Sequence, residues 1–396
     1  MKRFVLLALA LCLCLNVAAF AEESFDMAQD FYIGISVYNP DDAQTKAYRS
    51  YYENYLGEAF NVHFIYSNAI TSWEEEKAFV DELHELGVRG IISSQSVDRE
   101  AVIALCEEYG MYYIFGSSSL SGDAFDTIKD SPNFLGTIGA SDESERQAGA
   151  GMAEFFAQDD AAKEHGYLIC TGGAGMGNEM HRIRGLAMLD KLAEVYGLTY
   201  ETPAEELILA TECAEAVNDA GVKIVLLPGY PYLGTLEEMA ARQLADGSMD
   251  TVMSTLVANT LIEPIRAVEK ANDMDIRVGS VDCFTDEAYE YFNGIYNGGV
   301  PEMDYLVGKY GACGAAAFVA ICNAYSGHAE EFRDNGAAFA LTQNFWTATN
   351  VDEFNELYAL SVGTYENAYS ATDILHVLKD FNPDAAYADF VTFTEK

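Results

Sequence analysis

The strongest constraint on the fold is a repeated alternation between short β-rich apolar runs and longer amphipathic segments. This alternation is typical of parallel sheets covered by helices. Neighbouring runs start about 20 to 30 residues apart, which is enough for one strand and one crossover helix. The first five runs begin near Phe31, Val62, Arg89, Tyr112 and Asn133, and the next five near Tyr167, Leu198, Lys223, Thr251 and Arg277. The predicted fold class is therefore α/β, with two doubly wound parallel-sheet lobes in tandem.

Helical spacing of apolar residues fills the segments between these runs. The segment from Trp73 to Leu86 places its apolar side chains on one face, and Gly87 follows as a C-terminal stop. The stretch from Tyr305 to Tyr325 is rich in Ala and Gly, which predicts a closely packed helix. Further helices are predicted at Glu143 to Phe156, Glu179 to Tyr196, Leu236 to Ala245 and Leu261 to Ala271.

The N terminus has the pattern of a secretory signal. Lys2 and Arg3 precede an uncharged run that ends at the small-x-small site closed by Ala21. This predicts a signal peptide over residues 1–21, cleaved after Ala21. The alternatives are a membrane anchor, for which the run is short against a span of ~20 residues, and lipid attachment at a signal-region cysteine. We expect an exported protein, in the periplasm or on the outer face of the cytoplasmic membrane.

The charge balance excludes some classes of partner. The chain has 22 Lys and Arg against 63 Asp and Glu, a formal net charge of -41. So acidic a chain repels phosphate backbones and anionic membrane surfaces, so that we expect no nucleic-acid partner.

Motifs for metal, redox or nucleotide chemistry are missing from the sequence. The six cysteines after residue 21 form no CxxC pair, and the six histidines have no metal-ligand spacing. No GxSxG, HExxH or P-loop occurs, and the glycines between Cys170 and Asn178 are out of register for a dinucleotide fingerprint. We therefore predict no metal, no cofactor and no catalytic residues, although N–H groups of this glycine loop would suit an anionic ligand group.

Several stretches of the chain occur in the order in which one protein family carries them. Over roughly residues 30 to 355 they are IGISVYNP, RGIISSQS, TIGASDESERQAGAGMAEF, MHRIRG, VPEMDYLVGKYGACGAAAFVAICNAYSG and LTQNFWTATNVDEF. In this order the chain resembles the type I periplasmic solute-binding proteins, especially their sugar-binding group. It differs from them in its loop from Met253 to Leu256, where the family has an Asn-Asp pair.

The resemblance implies two lobes that the chain visits more than once. The N-terminal lobe would comprise residues 24–160 and 302–335, and the C-terminal lobe residues 161–301 and 336–396. The chain passes between the two sets of runs at Gln158 to Gly166 without a Ser/Pro-rich linker, which favours a hinge.

Loops beyond the carboxyl ends of the strands are where open α/β sheets bind ligands. Here they carry hydroxyl, amide, carboxylate, guanidinium and aromatic groups, which suit a sugar-like solute. The resemblance adds Asp142, Arg182 and Glu302. The candidate ligand-binding residues are Tyr38, Asn39, Ser94, Gln95, Ser117, Asp142, Arg182, Tyr230, Asp282, Glu302 and Trp346.

Several of these candidates have a purely structural alternative. Asn39 precedes a proline and suits an Asx turn, and the serine runs suit helix caps. Asp142 suits an N-cap, while Arg182 has Glu179 within one helical turn as an ion-pair partner. Trp346 would also suit packing against a helix.

Together, the signal, the duplicated fold and the loops predict an extracytoplasmic solute-binding protein. It would capture a small polar, sugar-like solute in an interlobe cleft and present it to the membrane permease of an ABC transporter. We expect it to be a monomer. The alternative is an exported receptor module that binds a nucleoside or another small ligand and signals to a membrane partner, and an enzyme is a third hypothesis.

Overall fold

A computed structural model describes residues 25–116, 119–158, 160–230, 235–361 and 367–396. The predicted signal peptide and the candidate Ser117 lie outside the described residues. Within them, no helix is both long and apolar enough to cross a membrane.

The first sheet is parallel throughout, as the duplicated alternation predicts. Its strands are β1 (Phe31–Ser36), β2 (Val62–Tyr66), β3 (Gly90–Ser93), β4 (Tyr112–Phe115), β5 (Phe134–Gly139) and β12 (Phe339–Thr342). They pair in the order β12-β5-β4-β3-β1-β2. The central strands β3, β4 and β5 are buried almost throughout, and their side chains are correspondingly apolar.

The second sheet is parallel in its centre and antiparallel at both edges. Its strands are β6 (Tyr167–Gly172), β7 (Ala214–Glu215), β8 (Ile224–Pro228), β9 (Thr251–Ser254), β10 (Arg277–Cys283), β11 (Tyr305–Lys309) and β13 (Trp346–Ala348). They pair in the order β13-β11-β10-β9-β6-β8-β7. The edge strands β7 and β13 run antiparallel to β8 and β11.

Helices cover both sheets, and many begin at a capping side chain. Ser72 forms a capping box with Glu75, and Asn178 accepts a hydrogen bond from the His181 N–H. A π-helical stretch, Tyr52–Gly57, follows the first helix. The α-helices are α1 (Ala43–Tyr51), α2 (Glu58–Phe60), α3 (Trp73–Glu85), α4 (Arg99–Tyr109), α5 (Asp123–Asp126), α6 (Asp142–Ala157), α7 (Glu179–Tyr196), α8 (Ala204–Leu207), α9 (Leu236–Leu244), α10 (Ile262–Asn272), α11 (Asp286–Phe292), α12 (Gly314–Asn323), α13 (Val351–Ser361), α14 (Ala371–Val377) and α15 (Tyr387–Thr394).

Two predicted elements differ from the observed ones. The run at Leu198 forms no strand apart from an isolated bridge at Tyr200, and β7 takes the edge of the sheet instead. The stretch predicted as one helix from Tyr305 begins as strand β11, and its helix, α12, starts only at Gly314. The apolar run YLV is buried beside β10, so strand pairing outweighs the helical composition that follows it.

The chain changes lobe at other positions than the sequence indicated. Each lobe consists of one sheet with its covering helices. The first crossing, residues 140–141, lies before α6, because the apolar face of α6 packs in the core of the second sheet with Tyr167 and Ile169. The second crossing, residues 310–313, follows β11, and the third, residues 343–345, follows β12.

The crossings correct the predicted boundaries at residues 160, 302 and 335. Strand pairing decides the correction, because β11 belongs to the second sheet and β12 to the first. The chain then returns to the first lobe, where α14 and α15 pack against α12 and β12. The fold class itself, two mostly parallel sheets with flanking helices, is confirmed.

Candidate functional site

A cavity of about 230 Å³ lies where the carboxyl ends of the second sheet face helix α1 of the first lobe. Its polar wall comes from four side chains on four different elements: Gln44, Arg184, Asp282 and Lys309. Its apolar wall comes from Met180, Leu256, Val257, Val281 and Phe345. The cavity therefore occupies the position that open α/β sheets use for ligands.

Arg184 is fixed in the cavity wall by a buried ion pair. Its Nε donates to Glu145 of α6 at 2.5 Å, and its Nη1 donates to the Thr255 carbonyl at 2.7 Å. Both side chains of the pair are less than a tenth exposed. The guanidinium also lies 5.9 Å from the centre of the Phe345 ring. Its position is thus set by three separate segments before any ligand arrives.

Asp282 and Lys309 are the ionisable groups of the cavity that lack a salt bridge within the described residues. Asp282 is the last residue but one of β10, and Lys309 is the last residue of the neighbouring strand β11. Burial raises the pKa of Asp282 to about 7, a rise that the Cys283 N–H and the Arg184 charge only partly oppose. Burial likewise lowers the pKa of Lys309. Both side chains are half-buried and form no salt bridge within this part of the chain, so a ligand that hydrogen-bonds to them offsets part of the cost of their desolvation.

Among the predicted residues that the structure describes, Asp282 alone lines this cavity. It is placed there by the pattern that guided the prediction, namely a polar residue after an apolar strand. Its contact with a ligand stays a prediction.

Asn39, Ser94 and Gln95 of the first lobe form hydrogen bonds to nearby groups of the same lobe. Asn39 accepts a hydrogen bond from the Asp41 N–H at 3.0 Å, which is the Asx turn offered as its alternative. Tyr38 is 63% exposed. Ser94 donates to the Ser36 carbonyl at 2.9 Å. The carbonyl of Gln95 accepts hydrogen bonds from the hydroxyls of Ser36 and Ser93.

Two charged candidates of α6 and α7 lie outside the cavity wall. Asp142 is exposed at the start of α6, where Ser141 and not Asp142 is the N-cap. Arg182 pairs with Glu179 on the surface of α7, with its Nε at 2.8 Å from the carboxylate. The ion-pair alternative therefore describes the observed contact of Arg182.

Tyr230 lies beside the glycine loop, outside the cavity wall. Its hydroxyl accepts a hydrogen bond from Asn178 at 3.3 Å. The neighbouring Gly173 N–H donates to Nδ1 of His181 at 3.0 Å, and burial lowers the pKa of that imidazole to about 4. One N–H group of the loop is therefore already bonded to a neutral histidine and is not free to bind an anion.

Glu302 and Trp346 also have partners within the protein. Glu302 precedes β11 and lies at the amino ends of the strands, whereas the cavity lies at their carboxyl ends. Its carboxylate accepts a hydrogen bond from Nε of Arg266 at 2.7 Å. The Trp346 ring stacks on Tyr310, with ring centroids 3.5 Å apart. Its neighbour Phe345 supplies the aromatic face to the cavity instead.

Sequence reasoning missed Arg184, Lys309 and Phe345. Lys309 carried a usable signal, since it is a lone cation that ends an otherwise uncharged strand, YLVGK. Arg184 lies on the same helix as Arg182, which the resemblance favoured over it, and Phe345 lies beside the more conspicuous Trp346. Only packing distinguishes the members of each pair.

Solved structures match this chain over most of its length, whereas no family model and no curated protein sequence matches it. An ABC transporter solute binding protein from Bacillus halodurans C-125 with bound myo-inositol is 18% identical. The match covers 83% of this chain and 97% of that chain, with a TM-score of 0.55. A periplasmic solute binding protein of an ABC transporter from Actinobacillus succinogenes 130z with bound D-allose is 13% identical, with coverages of 82% and 99% and a TM-score of 0.56. A putative LacI transcriptional regulator from Bacteroides fragilis is also 13% identical, with coverages of 83% and 99% and a TM-score of 0.54.

Proposed function

We propose that this chain, which has the type I periplasmic binding protein fold, is an exported solute-binding protein that captures a sugar-like polyol between its lobes. It would deliver the ligand to the membrane permease of an ABC transporter. The neighbours with bound myo-inositol and D-allose support the ligand class. The putative transcriptional regulator has the same fold, so the fold is also compatible with responses to a ligand other than transport.

The observation that carries the proposal is the set of polar groups in the cavity. Asp282 offers acceptors to hydroxyls, Lys309 and Arg184 offer donors, and Phe345 offers an aromatic face. A polyol offers hydroxyl donors to Asp282, hydroxyl acceptors to Lys309 and Arg184, and a ring face to Phe345, all in one molecule. At about 230 Å³, the cavity is smaller than the ~300 Å³ at which drug-sized pockets begin, which favours a single ring over an oligosaccharide.

The test is a binding screen followed by a matched pair of variants. Purified protein is titrated calorimetrically with pentoses, hexoses, inositols and nucleosides, and its melting temperature is followed in parallel. We expect a sugar or polyol to bind. Asp282→Asn then weakens that ligand about tenfold or more, because an amide replaces a carboxylate that accepts from hydroxyls.

The control is Asp142→Asn, which removes the same charge from an exposed position that the sequence also selected. We expect its affinity to equal that of the wild type. Binding should also strengthen from about pH 6 to about pH 8, since Asp282 ionises across this interval. Binding by none of the polyols, or preferential binding of a nucleoside, contradicts the proposed ligand class.

The transport role needs a separate experiment. Deleting the permease genes that accompany this chain should abolish uptake of the ligand found in the screen. Uptake that continues unchanged, with loss of a ligand-dependent response in the cell, would instead favour a receptor that signals to a membrane partner.

A further inference from the structure

The C-terminal segment, residues 367–396, inserts one tyrosine between the crossings of the chain. Tyr369 is fully buried. Its hydroxyl accepts a hydrogen bond from Gln343 of the third crossing at 3.1 Å and lies 3.3 Å from the hydroxyl of Tyr310, which opens the second crossing. It donates to the Thr394 carbonyl at 3.3 Å. One hydroxyl thus joins two crossings to the C-terminal segment.

The segment that carries Tyr369 is fastened to the first lobe at several points. Asn323 of α12 bonds through its side chain to the Val377 carbonyl at 2.9 Å and to the Lys379 N–H at 2.8 Å. The hydroxyl of Tyr55 accepts from the Ala371 N–H at 2.8 Å. The Phe390 ring packs on Phe339 of β12, with ring centroids 5.3 Å apart. Tyr369 is therefore held by the first lobe while it touches the crossings.

Each of these two crossings adjoins or contains a residue of the cavity wall. Lys309 directly precedes Tyr310, and Phe345 follows Gln343 by two residues. Gln343 also donates to the Cys313 carbonyl at 3.2 Å, so it links the third crossing to the second. Hydrogen bonds therefore connect Tyr369 to the chain directly beside Lys309 and to the crossing that contains Phe345.

We propose that Tyr369 is a positioning residue for the cavity: its hydroxyl fixes the second and third crossings, and with them the placement of Lys309 and Phe345. The consequence for ligand binding rests on the proposed function, whereas the effect on the crossings does not. Tyr369 does not line the cavity, so the hydroxyl acts through its neighbours and not on the ligand.

The test uses Tyr369→Phe in the full chain, because this change removes one oxygen and leaves the packing volume nearly unchanged. Hydrogen exchange of the amides in residues 310–313 and 343–346 is compared with the wild type, without ligand. We expect these amides to exchange about fivefold faster, the factor that corresponds to a lost hydrogen bond of about 1 kcal/mol. The affinity for the sugar or polyol found in the screen should fall by a similar factor.

Two further variants make the outcome specific. Tyr310→Phe removes the other hydroxyl of the pair and should accelerate the same amides. Tyr200→Phe removes a hydroxyl that donates to the Leu189 carbonyl at 2.8 Å in the second lobe, and should leave the crossings and the affinity unchanged.

Wild-type exchange at the crossings in Tyr369→Phe overturns the proposal, and so does an equal acceleration in Tyr200→Phe. Faster exchange with unchanged affinity also overturns it, since the cavity would then not depend on this hydroxyl. If the wild type binds no polyol, the proposed function fails, but the exchange measurement still decides whether Tyr369 holds the crossings.

Discussion

At the scale of single residues, burial separates two arginines that lie two positions apart on α7. Arg182 is a surface residue paired with Glu179, whereas Arg184 is buried against Glu145. A surface pair contributes little to stability, because water already solvates both ions. A buried pair is different, because removing one partner leaves the other without solvation or a counter-charge.

Arg184→Met should lower the free energy of unfolding by about 3 to 5 kcal/mol, because Glu145 is then a buried charge without a partner. Arg182→Met, the matched change on the same helix, should cost no more than about 1 kcal/mol. Urea denaturation of both variants measures the difference. Equal losses would show that Glu145 finds another partner or water when Arg184 is removed.

The place of Asp282 in the chain could be predicted from sequence, whereas its contact with a ligand stays a prediction. Asp282 lies in the cavity because it stands next to the last residue of an apolar strand, and strand ends can be recognised from sequence. Trp346 was selected by its place at a strand end and Glu302 by the resemblance, but their partners Tyr310 and Arg266 come from elsewhere in the fold. The identity of such partners depends on packing between elements.

At the scale of elements, the contact of α6 with α7 is what brings Glu145 to Arg184. Gly149 lies one turn after Glu145 on α6, and a Cβ at this position would stand 2.1 Å from the Arg184 carbonyl oxygen. The two helix backbones therefore approach so closely that only glycine fits between them. This close approach holds the polar wall of the cavity in place.

Gly149→Ala should destabilise the fold by about 1 to 3 kcal/mol, because the new methyl group meets a backbone atom that cannot move aside. This loss outweighs the gain of about 1 kcal/mol in helix propensity. Thermal unfolding followed by circular dichroism measures it.

The control is Gly151→Ala in the same helix. Its Cβ would stand 3.0 Å from the hydroxyl of Tyr305, a longer contact and with a side chain instead of backbone, so we expect a loss of no more than about 1 kcal/mol. A Gly149→Ala variant as stable as Gly151→Ala would contradict the close approach of the helices.

At the scale of the whole molecule, the net charge of -41 opposes the compact state. Many of the ion pairs of the described residues join two exposed side chains. Such pairs do not offset a general excess of carboxylates. Screening by salt should therefore stabilise the fold, even though it weakens individual pairs.

Raising NaCl from about 0.01 M to about 1 M shortens the Debye length from about 30 Å to about 3 Å. We expect the melting temperature to rise by several degrees over this range, as scanning calorimetry would record. Equal ionic strengths of KCl should give the same rise if screening is the cause. A melting temperature that stays constant or falls would mean that attractive pairs dominate the electrostatics.

By itself, the sequence determined the fold class: the two sets of strands, most of the helices and Asp282 at a strand end follow from periodicities that are local in the chain. Only the tertiary structure decided where the chain crosses between lobes, that β12 joins the first sheet while β11 and β13 join the second, and that Arg184, Lys309 and Phe345 line the cavity. These features depend on strand pairing and helix packing between residues distant in sequence. A side chain's spacing along its own strand or helix indicates which face it occupies, but not which element that face meets.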